Sequence, residues 1–266
     1  MKALIDLDPL PYSYGGMTFD DGALMPDSLV QEKVDNKIKD IVKRAGADSW
    51  IGYLSDSDSN FRIGLATILP YKGNRTGKEK PPKYQMLRDY LQEKYPDQVT
   101  MIYGMEADDA LAIDQYAAIA KTEAEAHPKP YVGFFYDTII CTIDKDLEMV
   151  PGWHYKWAKG STKETHSFFV NEVEGLRFFY KQLLTGDMTD NIRGLYGVST
   201  KSKLLSNLNE MDTEQGMFLH VKEQYVKRFG NYAEQFMLEN GRLLWMLQSK
   251  DDVWELPTYE DTDIQF

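Results

Sequence analysis

Residues Met101–Asp114, MIYGMEADDALAID, decide how the rest of the chain is read. The apolar run Val99–Tyr103 predicts a short buried strand, and Gly104 breaks it. Glu106, Asp108 and Asp109 follow, and the run from Ala110 to Ile113 is helix-compatible. Three carboxylates therefore fall in the first turn of a helix, at the carboxyl end of a strand. A helix dipole favours negative charge there by only ~0.3–1 kcal/mol per group. That is too little to offset crowding three of them unless a cation joins the cluster. Taken alone, the cluster reads equally well as a solvated acidic helix start, so the choice rests on the rest of the chain.

Working outward, the same unit recurs. Ala3–Leu7 predicts a first buried strand that delivers Asp6 and Asp8 at its end, followed by a loop with Gly15, Gly16, Gly22 and Pro26. Ser28–Arg44 carries Val30, Val34, Ile38, Ile41 and Val42 at helical spacing, with Ser28 able to cap and Gly46 able to stop the helix. Trp50–Leu54 predicts a second strand, running into Ser55, Asp56, Ser57 and Asp58. A helix near Pro82–Lys94, the Val99–Tyr103 strand, a helix to about Lys121 and a strand at Thr138–Ile143 complete the alternation. The expected fold is α/β: a mainly parallel central sheet flanked by helices on both faces. Ligands of such sheets bind beyond the carboxyl ends of the strands.

Every acidic cluster falls there. Asp6 follows the first strand, Asp56 the second, Glu106, Asp108 and Asp109 the third, and Asp144 and Asp146 the fourth. Two like charges ~4 Å apart repel by ~1 kcal/mol in water and ~4 at an effective dielectric near 20. Such a cleft requires divalent cations, and oxygen ligands without His or Cys favour Mg²⁺ or Mn²⁺ over zinc. His127, His154, His166 and His220 are scattered and read as structural or surface residues.

At 266 residues, 42% hydrophobic and 27% charged, the chain has the composition of an ordinary globular protein. A single cysteine, Cys141, permits no internal disulfide and points to a reducing compartment. MKALIDLDPL lacks the apolar core of a signal peptide, and no run reaches ~18 apolar residues, so a cytoplasmic protein is expected. The net charge of −12 argues superficially against a nucleic-acid partner. Distribution matters more than the sum. Between Tyr71 and Arg88 stand Lys72, Arg75, Lys78, Lys80, Lys83 and Arg88 against one acid, Glu79, whereas the tail from Lys250 is acidic. Gly73, Gly77, Pro81 and Pro82 prevent one uninterrupted helix through this basic segment.

Beyond Trp157 the pattern turns helical, with Val173, Leu176, Phe179, Tyr180 and Leu183 on the core face of Glu172–Leu184. In LTGDMTDNIRGLYGVSTKSK, Leu184–Lys203, Asp187 and Asp190 lie three apart, and Gly194 and Gly197 bracket a turn before a helix opening at Ser199 or Thr200. A glycine turn feeding a helix start exposes N–H groups suited to a phosphate, and Lys201 and Lys203 add charge. The bland reading is a helix–turn–helix with a cap.

Six segments together resemble the 5′ nuclease family: bacteriophage 5′–3′ exonucleases, flap endonucleases and the 5′ nuclease domain of bacterial DNA polymerase I. They are LIDLD (within Ala3–Asp8), FR (Phe61–Arg62), YKGNR (Tyr71–Arg75), EADD (Glu106–Asp109), TIDKDL (Thr142–Leu147) and GDMTDNIRGLYGV (Gly186–Val198), in the family's order over roughly residues 3–205. The resemblance implies a PIN-like nuclease core over 1–160 with a basic arch segment near 71–95. It implies a helical part over 161–266, with a helix-hairpin-helix-type DNA-binding element, packed as one continuous unit. It implies that Asp6, Asp56, Glu106, Asp108, Asp109, Asp144, Asp146, Asp187 and Asp190 hold two Mg²⁺ or Mn²⁺ ions. Lys72 and Arg75 would reach the scissile phosphate, with Lys78, Lys80 and Lys83 on flanking phosphates. Gly194, Gly197, Val198, Lys201 and Lys203 would grip duplex backbone at a turn that often binds K⁺. The expected substrate is branched or 5′-ended DNA, or an RNA/DNA hybrid, met by a monomer in the cytoplasm (of an infected bacterial host, if phage-encoded) with a replication protein as a further partner.

Three departures stand out. The family's DG is Asp6-Leu7-Asp8 here, leaving Asp8 as an extra ligand or a loop acid. In LSDSDSNFR the second-strand ligand is Asp56 or Asp58, with Asp56 preferred. Ser199 stands where the family carries a second glycine, which bears on the K⁺ site. Two rival readings remain: a haloacid-dehalogenase-type phosphatase with Asp6 as nucleophile and Asp8 as acid, and a catalytically silent DNA-binding homologue.

Overall fold

Ala3, Ile5 and Leu7 alternate with Leu4 and Asp6, so the first strand presents apolar residues to both faces and one carboxylate to the second. The computed structural model describes residues 1–56, 59–125, 136–158, 165–199 and 201–259. In chain order its elements are β1 (Lys2–Asp6), α1 (Pro9–Tyr14), α2 (Asp27–Arg44), β2 (Ser49–Ser55), α3 (Phe61–Leu65), α4 (Tyr84–Lys94), β3 (Val99–Ile102), α5 (Ala107–Glu125), β4 (Thr138–Thr142), β5 (Gly152–Lys156), β6 (His166–Val170), α6 (Glu172–Thr185), α7 (Lys203–Asn209), α8 (Glu214–Phe229) and α9 (Ala233–Leu244). They form two compact units. The first comprises Met1–Asn60, Gly77–Val170 and Met246–Lys250; the second comprises Phe61–Thr76, Asn171–Trp245 and Asp251–Phe266.

In the first unit the described strands make one sheet in the order β3-β2-β1-β4-β5-β6, parallel except for β6. Ala3, Ile5 and Leu7 pack with Val30, Val34, Ile38 and Ile41 of α2 and Leu87 and Leu91 of α4. Burying each larger aliphatic side chain contributes about 1.5–3 kcal/mol. Helix α5 lies against β1, β2, β3 and β4. Asp6 lies in register with Tyr53, whose hydroxyl donates to Asp114 of α5 at 2.5 Å. Strands β2 and β3 follow β1 on one side and β4 begins the other, so the crevice where the strand order reverses opens beyond the ends of β1 and β4.

The second unit packs α6, α8 and α9 around Phe179, Leu183, Met217, Val221, Tyr225 and Met237. Asn171 and Glu174 close a capping box on α6. Tyr225 donates to the Leu183 carbonyl at 2.7 Å and accepts from Asn240 Nδ2 at 2.9 Å. Arg62 is 1% exposed and donates from Nε to the Leu243 carbonyl and from Nη2 to that of Trp245, at 3.0 and 2.6 Å. These carbonyls lie at the end of α9, where intrahelical partners run out. No described helix is long and apolar enough to cross a membrane.

Four local expectations are corrected. Helix α1 occupies part of the expected loop after β1, with Pro at its first position, where the missing N–H is harmless. Pro26 occupies the N-cap position of α2, and Ser28 lies inside the helix. A strand, β6, precedes the C-terminal helices; Phe169 packs on Trp153 and Phe168 on His154 across the β5–β6 pair. Helix α7 opens at Lys203, with the Ser202 side chain accepting from Leu204 N, so Ser199 does not start it, and Thr200 lies outside the described residues.

Gly152 tests the β4–β5 junction. It has φ +116°, and a Cβ there would stand 2.0 Å from Gln115 Nε2. Gln115 is buried, accepts from Thr138 Oγ1 at 2.7 Å and donates to the Pro151 carbonyl at 3.2 Å. Gly152→Ala should cost about 2 kcal/mol or more, read as a lower urea midpoint at unchanged m-value.

Candidate active site

The site begins with Asp6, which is 4% exposed at the carboxyl end of β1. Its Oδ2 accepts from Thr142 Oγ1 at 2.9 Å and its Oδ1 from the Asp8 amide at 3.1 Å. Burial above all, then the charges of Asp8 and Asp144, push its carboxyl well above the usual range. Thr142 ends β4, and its Oγ1 also accepts from the Asp144 amide at 2.9 Å, so one hydroxyl registers both acidic segments. Asp144 Oδ1 in turn accepts from the Asp146 amide at 2.9 Å. Asp146 pairs with Lys145 at 2.9 Å.

Asp8 points elsewhere. Its oxygens accept from the Ser55 amide at 3.0 and 3.2 Å, and Oδ1 from Arg88 Nη1 at 3.1 Å. Burial pushes its pKa up, while Ser55 and Arg88 oppose that. Arg88 Nη2 donates to the Ser55 carbonyl, and Ser55 Oγ accepts from the Ala107 amide at 2.8 Å. Asp56 follows, with its amide on the Ile102 carbonyl at 2.8 Å and Oδ2 accepting from Ser59 Oγ at 2.7 Å. Asp58 lies outside the described residues.

At the start of α5, Asp109 is fully buried. Its Oδ2 accepts from the Glu106 amide at 3.1 Å and its Oδ1 from the Leu247 amide at 3.3 Å. An acid at the third helical position accepting from the cap residue is one half of a capping box. Glu106 and Asp108 are half-buried on the same turn. Among the described residues, no three His, Cys, Asp or Glu side chains are already grouped closely enough to hold a metal ion.

Asp187 and Asp190 belong to the second unit, and so does YKGNR. Asp187 is buried, with Oδ1 accepting from the Thr189 amide at 2.6 Å. Asp190 is the hub. Its carboxylate accepts from Tyr71 Oη at 2.9 Å and Arg75 Nη2 at 2.5 Å, with Lys72 Nζ at 3.6 Å. Asn74 donates to the Met188 carbonyl and Asn191 to that of Pro70, at 2.6 and 2.8 Å. Lys72 and Arg75, the two phosphate ligands expected from the sequence, thus share one anion.

The remaining basic residues divide. Lys78 is exposed, Lys80 lies 4.8 Å over the Tyr84 ring, and Lys83 pairs with Asp27. Tyr84 is 5% exposed and its hydroxyl accepts from Arg88 at 3.1 Å, which makes it a core residue. In the second unit, Gly194 and Gly197 have φ of +56° and +91°, which fixes glycine at both positions of the turn. Val198 is half-buried, and Lys201 and Lys203 are exposed beyond it.

Among solved structures, the chain is similar to the D15 protein of bacteriophage T5 crystallised with metal ions (TM-score 0.52, 16% identity, 91% of this chain and 98% of that one). It matches the T5 D15 flap endonuclease in a pseudo-enzyme–product complex with DNA and metal ions (TM-score 0.53, 16% identity, 91% and 98%). It also matches T5 5′-exonuclease with bound zinc (TM-score 0.52, 16% identity, 92% and 100%). The chain shares their fold. No protein-family model and no curated protein matches the sequence.

Arg88, Ser55 and Thr142 are the residues that sequence reasoning missed as organisers of the acidic edge. Arg88 was visible only as one more base in a basic segment.

The raised pKa of Asp6 fixes a sign. Its ionisation is disfavoured in the fold, so its contribution is favourable below its unfolded pKa and lost as pH rises through the folded one. In metal-free buffer at neutral pH, Asp6→Asn should therefore melt higher than wild type, and the difference should vanish in acid. A lower Tm at neutral pH would show that the Thr142 and Asp8 hydrogen bonds outweigh the charge.

Proposed function

We propose that this protein is a divalent-metal-dependent 5′ nuclease that hydrolyses DNA phosphodiester bonds at branched or 5′ ends. The observation that carries the reading is Asp6, a buried carboxylate at the strand-order reversal whose ionisation is opposed by Asp8 and Asp144. A cation relieves that opposition, and an all-oxygen donor set suits Mg²⁺ or Mn²⁺. The fold likeness to T5 proteins described as flap endonuclease and 5′-exonuclease, seen with DNA and metal ions, supports the same reading.

Asp6, Asp56, Glu106, Asp108, Asp144 and Asp146 are the residues that would hold the ions. Bound divalent ions supply an activated water and charge neutralisation at the reacting phosphate. Thr142 keeps Asp6 and the Asp144 segment in register, and Asp109 fixes the turn that presents Glu106 and Asp108. Lys72 and Arg75 bring positive charge to a DNA phosphate, exchanging the carboxylate of Asp190 for a phosphate oxygen. Lys78, Lys80 and Lys83, and in the second unit Gly194, Gly197, Val198, Lys201 and Lys203, take backbone phosphates without reading bases.

A 5′-end-labelled branched duplex, incubated with and without Mg²⁺, tests the reading. Cleavage near the branch that disappears with chelator is expected; intact substrate at every metal concentration would sink it. Lys72→Ala should lower single-turnover cleavage about 10²–10³-fold, as for loss of one preorganised charge donor, with duplex affinity nearly unchanged. Lys201→Ala and Lys203→Ala should do the reverse: weaker duplex binding, with the salt-dependence slope reduced by about 0.9 for each phosphate no longer neutralised.

A further inference from the structure

Asp8 is the acid that the nuclease reading does not use, and both of its oxygens accept from protein donors. It accepts from the Ser55 amide and from Arg88; Arg88 returns to the Ser55 carbonyl; and the Ser55 hydroxyl accepts from the Ala107 amide. Asp8, Ser55 and Arg88 close a ring, and the Ser55 hydroxyl ties Ala107 to it. Asp8 follows β1, two residues past Asp6 and bonded to it through its own amide. Ser55 ends β2, one residue before Asp56. Ala107 opens α5, one residue after Glu106 and one before Asp108. Arg88 is 5% exposed in the middle of α4, its guanidinium 5.4 Å over the Tyr84 ring and its Nη1 bonded to the Tyr84 hydroxyl.

A carboxylate committed to an amide and a guanidinium has its oxygens turned to protein donors rather than to a cation. Only a planar, two-sided donor can span Asp8 and the Ser55 carbonyl at once. We infer that Asp8 and Arg88 are positioning residues for metal binding: the pair fixes Asp6, Asp56 and the Glu106–Asp108 turn in mutual register without contacting the ions. The inference rests on the nuclease reading above.

Mn²⁺ titration by calorimetry in the absence of DNA tests it, on wild type, Asp8→Asn, Arg88→Lys, the double variant Asp8→Asn/Arg88→Gln, and Asp144→Asn as a candidate-ligand control. Thermal melts verify that each is folded at the titration temperature. Asp8→Asn and Arg88→Lys should each weaken Mn²⁺ about 10–100-fold, the range for groups that orient ligands, with the wild-type number of sites. The double variant should weaken it no further, because one tie is broken in all three. With saturating Mn²⁺ and branched duplex, kcat should stay reduced while KM for DNA stays within about twofold. Should Asp8→Asn fail to fold, Arg88→Lys, which keeps the charge, carries the comparison alone.

Loss of a site in Asp8→Asn with normal binding in Arg88→Lys would make Asp8 a ligand and overturn the inference. Wild-type affinity in both single variants would overturn it too, leaving the nuclease reading intact. If wild type itself binds no Mn²⁺, that reading falls, and this role falls with it.

Discussion

A carboxylate that is buried and surrounded by other acids is the constraint on which this fold turns. At 4% exposure Asp6 has lost most of its hydration, and Asp8 and Asp144 oppose its charge. Transfer of an unpaired carboxylate from water is costly enough that proteins pair it, protonate it or give it a metal. The chain pays this cost at the edge where the strand order reverses, between β1 and β4. The neighbouring hydrogen bonds from Thr142 and the Asp8 amide hold the group in place without neutralising it.

The second unit answers a related problem with the opposite sign. In a chain of net charge −12, the Tyr71–Arg75 segment carries Lys72 and Arg75 with no acid between them. Those cations share one partner. Lys72 and Arg75 close on Asp190, and Lys72 takes φ +53° to do so, a left-handed backbone that costs a non-glycine residue about 1–2 kcal/mol. Its amide donates to the Asp190 carbonyl at 2.9 Å, so backbone and side chain act together to hold the strained residue. On the nuclease reading proposed above, that strain would help the resting ion pair yield to a phosphate.

Much of the first unit was legible because its elements are locally consistent. Val30, Val34, Ile38 and Ile41 at helical spacing became the buried face of α2, and the four predicted strands pair as parallel neighbours. What failed was set by partners distant in sequence. HSFFV has no strong pattern of its own; β5 makes it a strand by offering Trp153 and His154 to its aromatic rings. Ser199, Thr200 and Ser202 are all chemically able to cap, and the backbone selected Ser202. The role of Arg88 was invisible because its partner Asp8 stands 80 residues away. In a linear reading a base among bases belongs to DNA; in the fold it belongs to the core.

Asp8 also bears on the phosphatase alternative. A phosphatase of the haloacid-dehalogenase type needs the second aspartate as a proton donor, free to face the leaving group. Both Asp8 oxygens instead face donors, the Ser55 amide and the Arg88 guanidinium, and a carboxyl proton there would point at another N–H. Burial pushes the Asp8 pKa up, and the hydrogen bonds from Ser55 and Arg88 oppose that rise. The group is therefore bound to the scaffold by the interactions that would have to be broken for it to act as an acid. What the Asp6-Leu7-Asp8 sequence adds to this edge is a brace between β1, β2 and α4.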